Sequence, residues 1–149
     1  MTCALENRVA FITGGSEGLG LAIARAYVAA GASIAICARD EARLERAREE
    51  ASSIAHSDQR VEVYAGDVSR FEDVERMVSS ALRAFPRIHI LVNNAAIYGP
   101  KGPLEESNWK SWVQTIEINL LGSVLMCRAL LPNFKANRYG KIIQISGGG

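Results

Sequence analysis

The sequence lacks a dominant charge. Lys and Arg number 17 against 16 Asp and Glu, so the overall balance calls for neither nucleic acid nor an anionic membrane as partner. Its apolar stretches all break before the roughly eighteen residues a membrane-crossing helix needs, so no membrane span is expected. It also lacks a basic segment ahead of an early apolar run. The opening "MTCALENRVAFIT" carries Glu6 there instead, unlike a secretory leader. Cysteine is scarce. Cys3, Cys37 and Cys127 are odd in number and far apart, matching neither a disulfide framework nor a CxxC metal pair. Reduced thiols, a cytoplasmic setting and no metal site are expected. Repeats, low-complexity tracts and linkers are missing too, so residues 1–149 are expected to form one domain.

What is present is a soluble, globular composition, 48% hydrophobic and 22% charged. Short apolar runs alternate with amphipathic stretches. "RVAFIT" (8–13), "SIAICA" (33–38), "VEVYAG" (61–66), "IHILVNNAA" (88–96) and "KIIQIS" (141–146) read as strands. "GLAIARAYVAAG" has helical spacing, with Ile23, Tyr27 and Ala30 on one face and Gly31 as a stop. In "DEARLERAREEASSIA", Asp40 is the expected N-cap and Leu44, Ala47 and Ala51 point inward. Its charges read as a solvated face with supporting pairs. Ser69 and Glu72 have capping-box spacing for the next helix. A long apolar-faced helix follows from Trp109, with a bend expected near Pro132. The strands are apolar almost throughout, as strands covered on both faces should be. The expected fold is α/β, a doubly wound parallel sheet.

The strongest local signal is "TGGSEGLG" (13–20), between the first strand and the first helix. In this class of fold the ligand crevice lies at the C-terminal ends of the strands. Gly14, Gly18 and Gly20 let the backbone turn tightly there and present the helix's free N–H groups to a phosphate. The spacing is T-G-x-x-x-G-x-G, not G-x-G-x-x-G.

Three further motifs follow in order: "AGDVS" (65–69), "LVNNAA" (91–96) and "IEINLLGSV" (116–124). Together the four resemble the short-chain dehydrogenase/reductase family over about residues 8 to 149, with Ala96 where that family usually has glycine. The resemblance implies a Rossmann-type domain, here truncated after the fifth strand, and hydride transfer between nicotinamide and an alcohol or carbonyl substrate. It implies cofactor contacts by Thr13, Gly14, Ser16, Gly18, Leu19, Gly20, Arg39, Asp67, Val68, Asn94 and Ala95. Asp67 would contact adenine. Asn119 falls on the family's active-site Asn, which holds a water in the proton relay. It also implies a homo-oligomer through the helix at 109–131.

The second strand ends "ICARDE". Ala38 stands where an NAD-selecting acid usually sits, and Arg39 follows it. A guanidinium there can pair two-pronged with the extra phosphate of NADP. NADP(H) is therefore favoured, with NAD(H) left open by Asp40 and by Glu17, which stands where NADP-preferring relatives often carry a base. The family's Tyr-x-x-x-Lys pair is absent: Tyr27, Tyr64, Tyr98 and Tyr139 all fail the spacing. The chain is expected to be the front part of a longer enzyme and inactive alone. The alternative is a non-catalytic dinucleotide-binding module. Gly147 stands where the catalytic Ser usually falls, so Ser146 is the remaining candidate, against a reading as a strand-end Ser bonded to backbone. His56 and His89 have no partner acid or nucleophile in view and read as structural. Strand five, if left uncovered, is expected to make an apolar edge prone to association.

Overall fold

In the computed structural model, which describes residues 4–147, strands and helices alternate as the hydrophobic pattern predicts. The elements are β1 (Val9–Thr13), α1 (Gly18–Ala29), β2 (Ser33–Ala38), α2 (Glu41–Ser52), β3 (Val61–Ala65), α3 (Phe71–Ala84), β4 (Ile90–Asn93), α4 (Trp109–Ile116), α5 (Gly122–Ala136) and β5 (Lys141–Gln144). Cys3 and the two closing glycines lie outside the described residues. The sheet order is β3-β2-β1-β4-β5, and every pairing is parallel.

The two-residue period of the strands sorts side chains onto two cores. Phe11, Ala35, Cys37 and Leu91 pack with Met77, Val78, Met126 and Leu130 of α3 and α5. Ile12, Ile34, Ile36 and Val92 pack with Val28 of α1 and Leu44 of α2. Burial on both faces explains the nearly unbroken apolar runs. Each fully buried Ile, Leu or Phe contributes about 1.5–3 kcal/mol.

Asp40 caps α2 as expected, accepting the Arg43 N–H at 2.9 Å, with Leu44, Ala47 and Ala51 buried. Elsewhere local expectations give way. The buried stripe of α1 is Gly20, Ala24 and Val28, one residue round from the expected Ile23, Tyr27 and Ala30. The smaller residues bring the helix close to the sheet. The Ser69–Glu72 capping box does not form. α3 starts after Arg70 with no side-chain cap, because the Asp67 carboxylate takes the Ser69 N–H at 2.9 Å and its hydroxyl at 2.7 Å. The long helix is irregular at Glu117–Leu121, where the turn widens to a π-helix, and α5 runs through Pro132 to Ala136. By length and composition alone the Trp109–Ala136 stretch, 28 residues, meets the requirement for a membrane-crossing helix. Its Ile118, Met126, Leu130 and Phe134 nevertheless bury themselves in the core. β5, read from its apolarity as buried, is exposed along its length, with Ile142 40% and Ile143 38% accessible, as is Ile145 just past its end at 39%. It pairs with β4 alone at the edge of the sheet.

His89 lies at the end of the sheet away from the glycine turn. It is buried, its Nδ1 accepts the Val9 N–H at 3.0 Å, and its ring meets Tyr139 edge-on at 5.9 Å. Arg8 stacks over the other ring of that pair at 4.7 Å. Burial, then the Arg87 and Arg8 charges, hold the imidazole below its ordinary value. A folded-state value below the unfolded one means that the unfolded chain binds the extra proton, so stability is present above about pH 6.5 and is lost as pH falls toward the lowered value. The melting temperature should therefore drop on going from about pH 7.5 to about pH 5.5. His89→Gln, which keeps an acceptor but cannot titrate, should flatten that slope. An unchanged slope would contradict the assignment.

Candidate functional site

The ends of β1 and β4 lie side by side where the strand order reverses, the position at which doubly wound sheets bind ligands. Thr13 closes β1. Its hydroxyl donates to the Val92 carbonyl at 3.4 Å and accepts the N–H groups of Asn94 and Ala95 at 3.0 Å each. With Thr13 only 2% exposed, its hydroxyl is satisfied out of water. Asn94 answers from the other side: its Nδ2 donates to the carbonyls of Thr13 and Gly14, both at 3.1 Å. The end of β4 thus grips the glycine turn.

Glycine is required where the turn is tightest. A Cβ on Gly20 would lie 2.1 Å from the Gly14 carbonyl oxygen and 2.5 Å from Asn94 Nδ2. Gly14 has φ +64 and is pressed against Ala95. Glu17 is the N-cap of α1 but gives no side-chain bond to it, whereas Asp40 caps α2 and Asn108 caps α4. Among the described residues the first-turn N–H groups of α1 have no side-chain cap.

The turn opens into a cleft of about 300 Å³. Gly14, Ser16, Leu19 and Gly20 line it from the turn, Arg39 from the end of β2, Asp67 and Val68 from the end of β3, and Asn94 and Ala95 from the end of β4. Thr13 and Gly18 are not on its wall. Thr13 is the buried strut behind it, and Gly18, with φ +55, has open space around its Cα. Asp67 is held in place: its N–H donates to Asp73 Oδ2 at 3.0 Å. That bond, and then the Arg76 guanidinium, keep the Asp73 carboxyl below its usual range. Arg39 is exposed and has no hydrogen-bond or ion-pair partner among the described residues. Cys37 also lines the cleft, but burial pushes its thiol up to about 12, so it is no nucleophile at neutral pH.

The two sequence-predicted catalytic residues stand apart from this wall. Both ends of the Asn119 carboxamide engage the main chain of Ile97, accepting its N–H and donating to its carbonyl at 2.9 Å each. Ile97 and Ile118, the neighbours of that clamp, do line the cleft. Ser146 is exposed beyond β5 and makes no side-chain hydrogen bond among the described residues. Sequence reading missed two polar residues. Arg43, on the first turn of α2, lines the cleft and bonds Glu17; its position four residues after Arg39 was the available signal. Asn93 is 4% exposed, and its Oδ1 is buried without a partner. Among the described residues no cluster of His, Cys, Asp and Glu could hold a metal ion.

A sequence profile of the family described as short chain dehydrogenase matches residues 8–148. The chain belongs to that family. It is similar to the L-fucose dehydrogenase of Bos taurus, 36% identical over 140 residues, which cover 94% of this chain and 49% of that protein. The chain thus spans about half the length of the curated relatives it matches. Among solved structures, a metagenomic short-chain oxidoreductase in complex with NADP superposes with a TM-score of 0.89 at 33% identity, over 97% of this chain and 64% of that one. NAD+-bound xylitol dehydrogenase gives 0.88 at 26% identity, over 93% and 52%.

The grip on the turn is open to test. Thr13→Val keeps the shape but leaves the half-buried N–H groups of Asn94 and Ala95 without that acceptor. It should cost roughly 1–3 kcal/mol in a denaturant melt. A change below about 0.5 kcal/mol, the usual size of a neutral surface substitution, would show that the strut is dispensable.

Proposed function

We propose that this chain forms the cofactor-binding part of an NAD(P)-dependent oxidoreductase acting on a small-molecule alcohol or carbonyl, with NADP(H) favoured over NAD(H). The observation that carries the reading is the convergence, in one cleft, of an uncapped helix N-terminus on a glycine turn and an unpaired guanidinium at the end of β2. The residues present fit a dinucleotide. Backbone N–H groups from Ser16 to Gly20 would hold the pyrophosphate. Arg39 would pair with the 2′-phosphate, and Asp67 and Val68 would bound the adenine. When bound, the nicotinamide exchanges a hydride with the substrate carbon. Thr13 and Asn94 hold the turn in shape, and the apolar Val68, Ala95 and Ile118 exclude water along the wall. Asn119, its carboxamide already held by the Ile97 main chain, would hold a water of the proton relay, and Ser146 would offer its hydroxyl to the substrate oxygen.

The names of the relatives, for L-fucose and xylitol, support a polyhydroxylated substrate class. A cytoplasmic setting accords with the free thiols Cys37 and Cys127. No tyrosine in the sequence stands four residues before a lysine, so the 149-residue chain alone should bind cofactor without turnover. That absence also supports the second reading, a non-catalytic dinucleotide-binding module. Trp109, Val113, Ile116, Leu120 and Val124 form an exposed apolar stripe on the long helix, which supports self-association through 109–131.

Titration of the purified chain with NADPH and NADH, followed by fluorescence, tests the reading. NADPH should bind more tightly. Arg39→Ala should weaken NADPH about ten-fold or more, a charge-assisted pair's worth, and barely affect NADH. No binding of either by folded chain would refute it. Sedimentation of the same sample should show a dimer or larger, and a monomer at every concentration would remove the helix-face proposal.

A further inference from the structure

The near-neutral total charge hides an uneven distribution. No Asp or Glu falls between Glu75 and Glu105, and none follows Glu117. Those acid-free stretches supply β4, α5 and β5, so these three elements carry no negative side chain. Their cations gather at the end of the sheet away from the cleft. Arg87 precedes β4, Lys135 lies in the last turn of α5, Arg138 stands between α5 and β5, and Lys141 opens β5. Arg8 precedes β1 beside them. The strand starts are tied together: the His89 N–H donates to the Val9 carbonyl at 2.8 Å, and the Lys141 N–H to the His89 carbonyl at 2.9 Å. At about 4.8 Å between neighbouring strands, the three starts lie within roughly 10 Å. Arg87, Lys135, Arg138 and Lys141 are exposed, and Arg8 is half-buried. None of the five is in an ion pair among the described residues. The nearest carboxylate in sequence is Glu6, two residues before Arg8. The negative end of α5 accounts for Lys135, and nothing in the fold accounts for the other four together. Apolar groups are interleaved with them. Leu131, one helical turn before Lys135, is 39% exposed, and Ile142, next to Lys141, is 40% exposed.

We infer that this end of the sheet docks on an anionic lipid surface. Like charges crowded without partners repel one another, and a negative counter-surface converts that repulsion into attraction. Each Lys or Arg brought near an anionic leaflet contributes a factor of about five in affinity. Long, flexible stems let the charged heads reach one plane. The five cations lie outside the cleft and outside the groove between α3 and α5, so they suit an extended layer of charge rather than one small anion held in a pocket. The exposed Leu131 and Ile142 favour lipid over nucleic acid, because the headgroup boundary accepts apolar side chains between cations and a phosphate backbone does not. Docked by this end, the chain turns its cleft, at the opposite ends of the strands, toward water. The inference is independent of what that cleft binds.

Co-sedimentation of the whole chain with vesicles tests this. Phosphatidylcholine vesicles carrying about 30% phosphatidylserine should bind it, pure phosphatidylcholine should not, and about 0.5 M salt should release it. Arg87→Gln/Lys135→Gln/Lys141→Gln, once circular dichroism shows it folded, should bind about a hundred-fold more weakly, at about five-fold for each cation. Arg8 and Arg138 are left in place, because one stacks on Tyr139 and the other holds a φ of +50. Arg46→Gln/Arg70→Gln/Lys110→Gln removes the same charge from exposed positions elsewhere and should stay within about three-fold of wild type. Equal losses in the two triple variants, or equal binding to both vesicles, would overturn the inference. A footprint on wild type needs no variant. The lysines are Lys101, Lys110, Lys135 and Lys141. With vesicles bound, acetic anhydride should spare Lys135 and Lys141 and modify Lys101 and Lys110; uniform or reversed protection refutes the docking face. Duplex RNA bound more tightly than the vesicles, with the same loss in the first variant, would assign the patch to nucleic acid and overturn the lipid reading.

Discussion

Everything at the cleft depends on one hydroxyl. Thr13 Oγ1 accepts two main-chain N–H groups from the segment after β4 and donates to that strand's own carbonyl. A parallel sheet supplies no hydrogen bonds beyond its strand ends, and at a reversal of strand order the two chains leaving β1 and β4 must part. The Thr13 bonds, with the return grip of Asn94 on the Thr13 and Gly14 carbonyls, hold the departing chains together for two residues more. That fixes where the glycine turn sits, and the turn fixes where α1 begins. The Gly14 carbonyl and the start of α1 approach so closely that position 20 has no room for a side chain. The helix N-terminus points into the cleft as a consequence.

The parts of this arrangement that were legible in the sequence are those set by local chemistry. A glycine is needed where backbone meets backbone, so Gly14 and Gly20 announce the turn. The strands' unbroken apolar runs announce burial on two faces, and Asp40 announces the start of α2. The parts that were not legible depend on competition or on distance. Ser69 and Glu72 match a capping box, but Asp67 lies two residues before Ser69 and takes both of its donors. The π-helical widening at Glu117–Leu121 has no side-chain code of its own; tertiary packing of Ile118 into the core and the Asn119 clamp on Ile97 set it. Glu17 and Arg43 are 26 residues apart, and no spacing rule connects them. Apolarity in β5 signals a strand suited to burial, but what covers such a strand is a property of its neighbours.

The two ends of the sheet divide the work. At one end the polar groups close on each other: His89 accepts the Val9 N–H, and Tyr139 meets both His89 and Arg8. At the other, donors are left without partners among the described residues: the first turn of α1 has no side-chain cap and Arg39 has no counter-ion. Unspent hydrogen-bonding capacity gathered at one end of a rigid sheet is what an anionic ligand can use. The family's shared geometry and this local chemistry point the same way.

The most direct test of the account is a two-dimensional amide NMR titration of the isotope-labelled chain with NADPH. The N–H signals of Ser16 to Gly20 should shift most, followed by those of Asp67 and Val68, while those around His89 and Tyr139 stay in place. Shifts centred elsewhere, or none in the glycine turn at saturating cofactor, would contradict the claim that the uncapped start of α1 is a phosphate site.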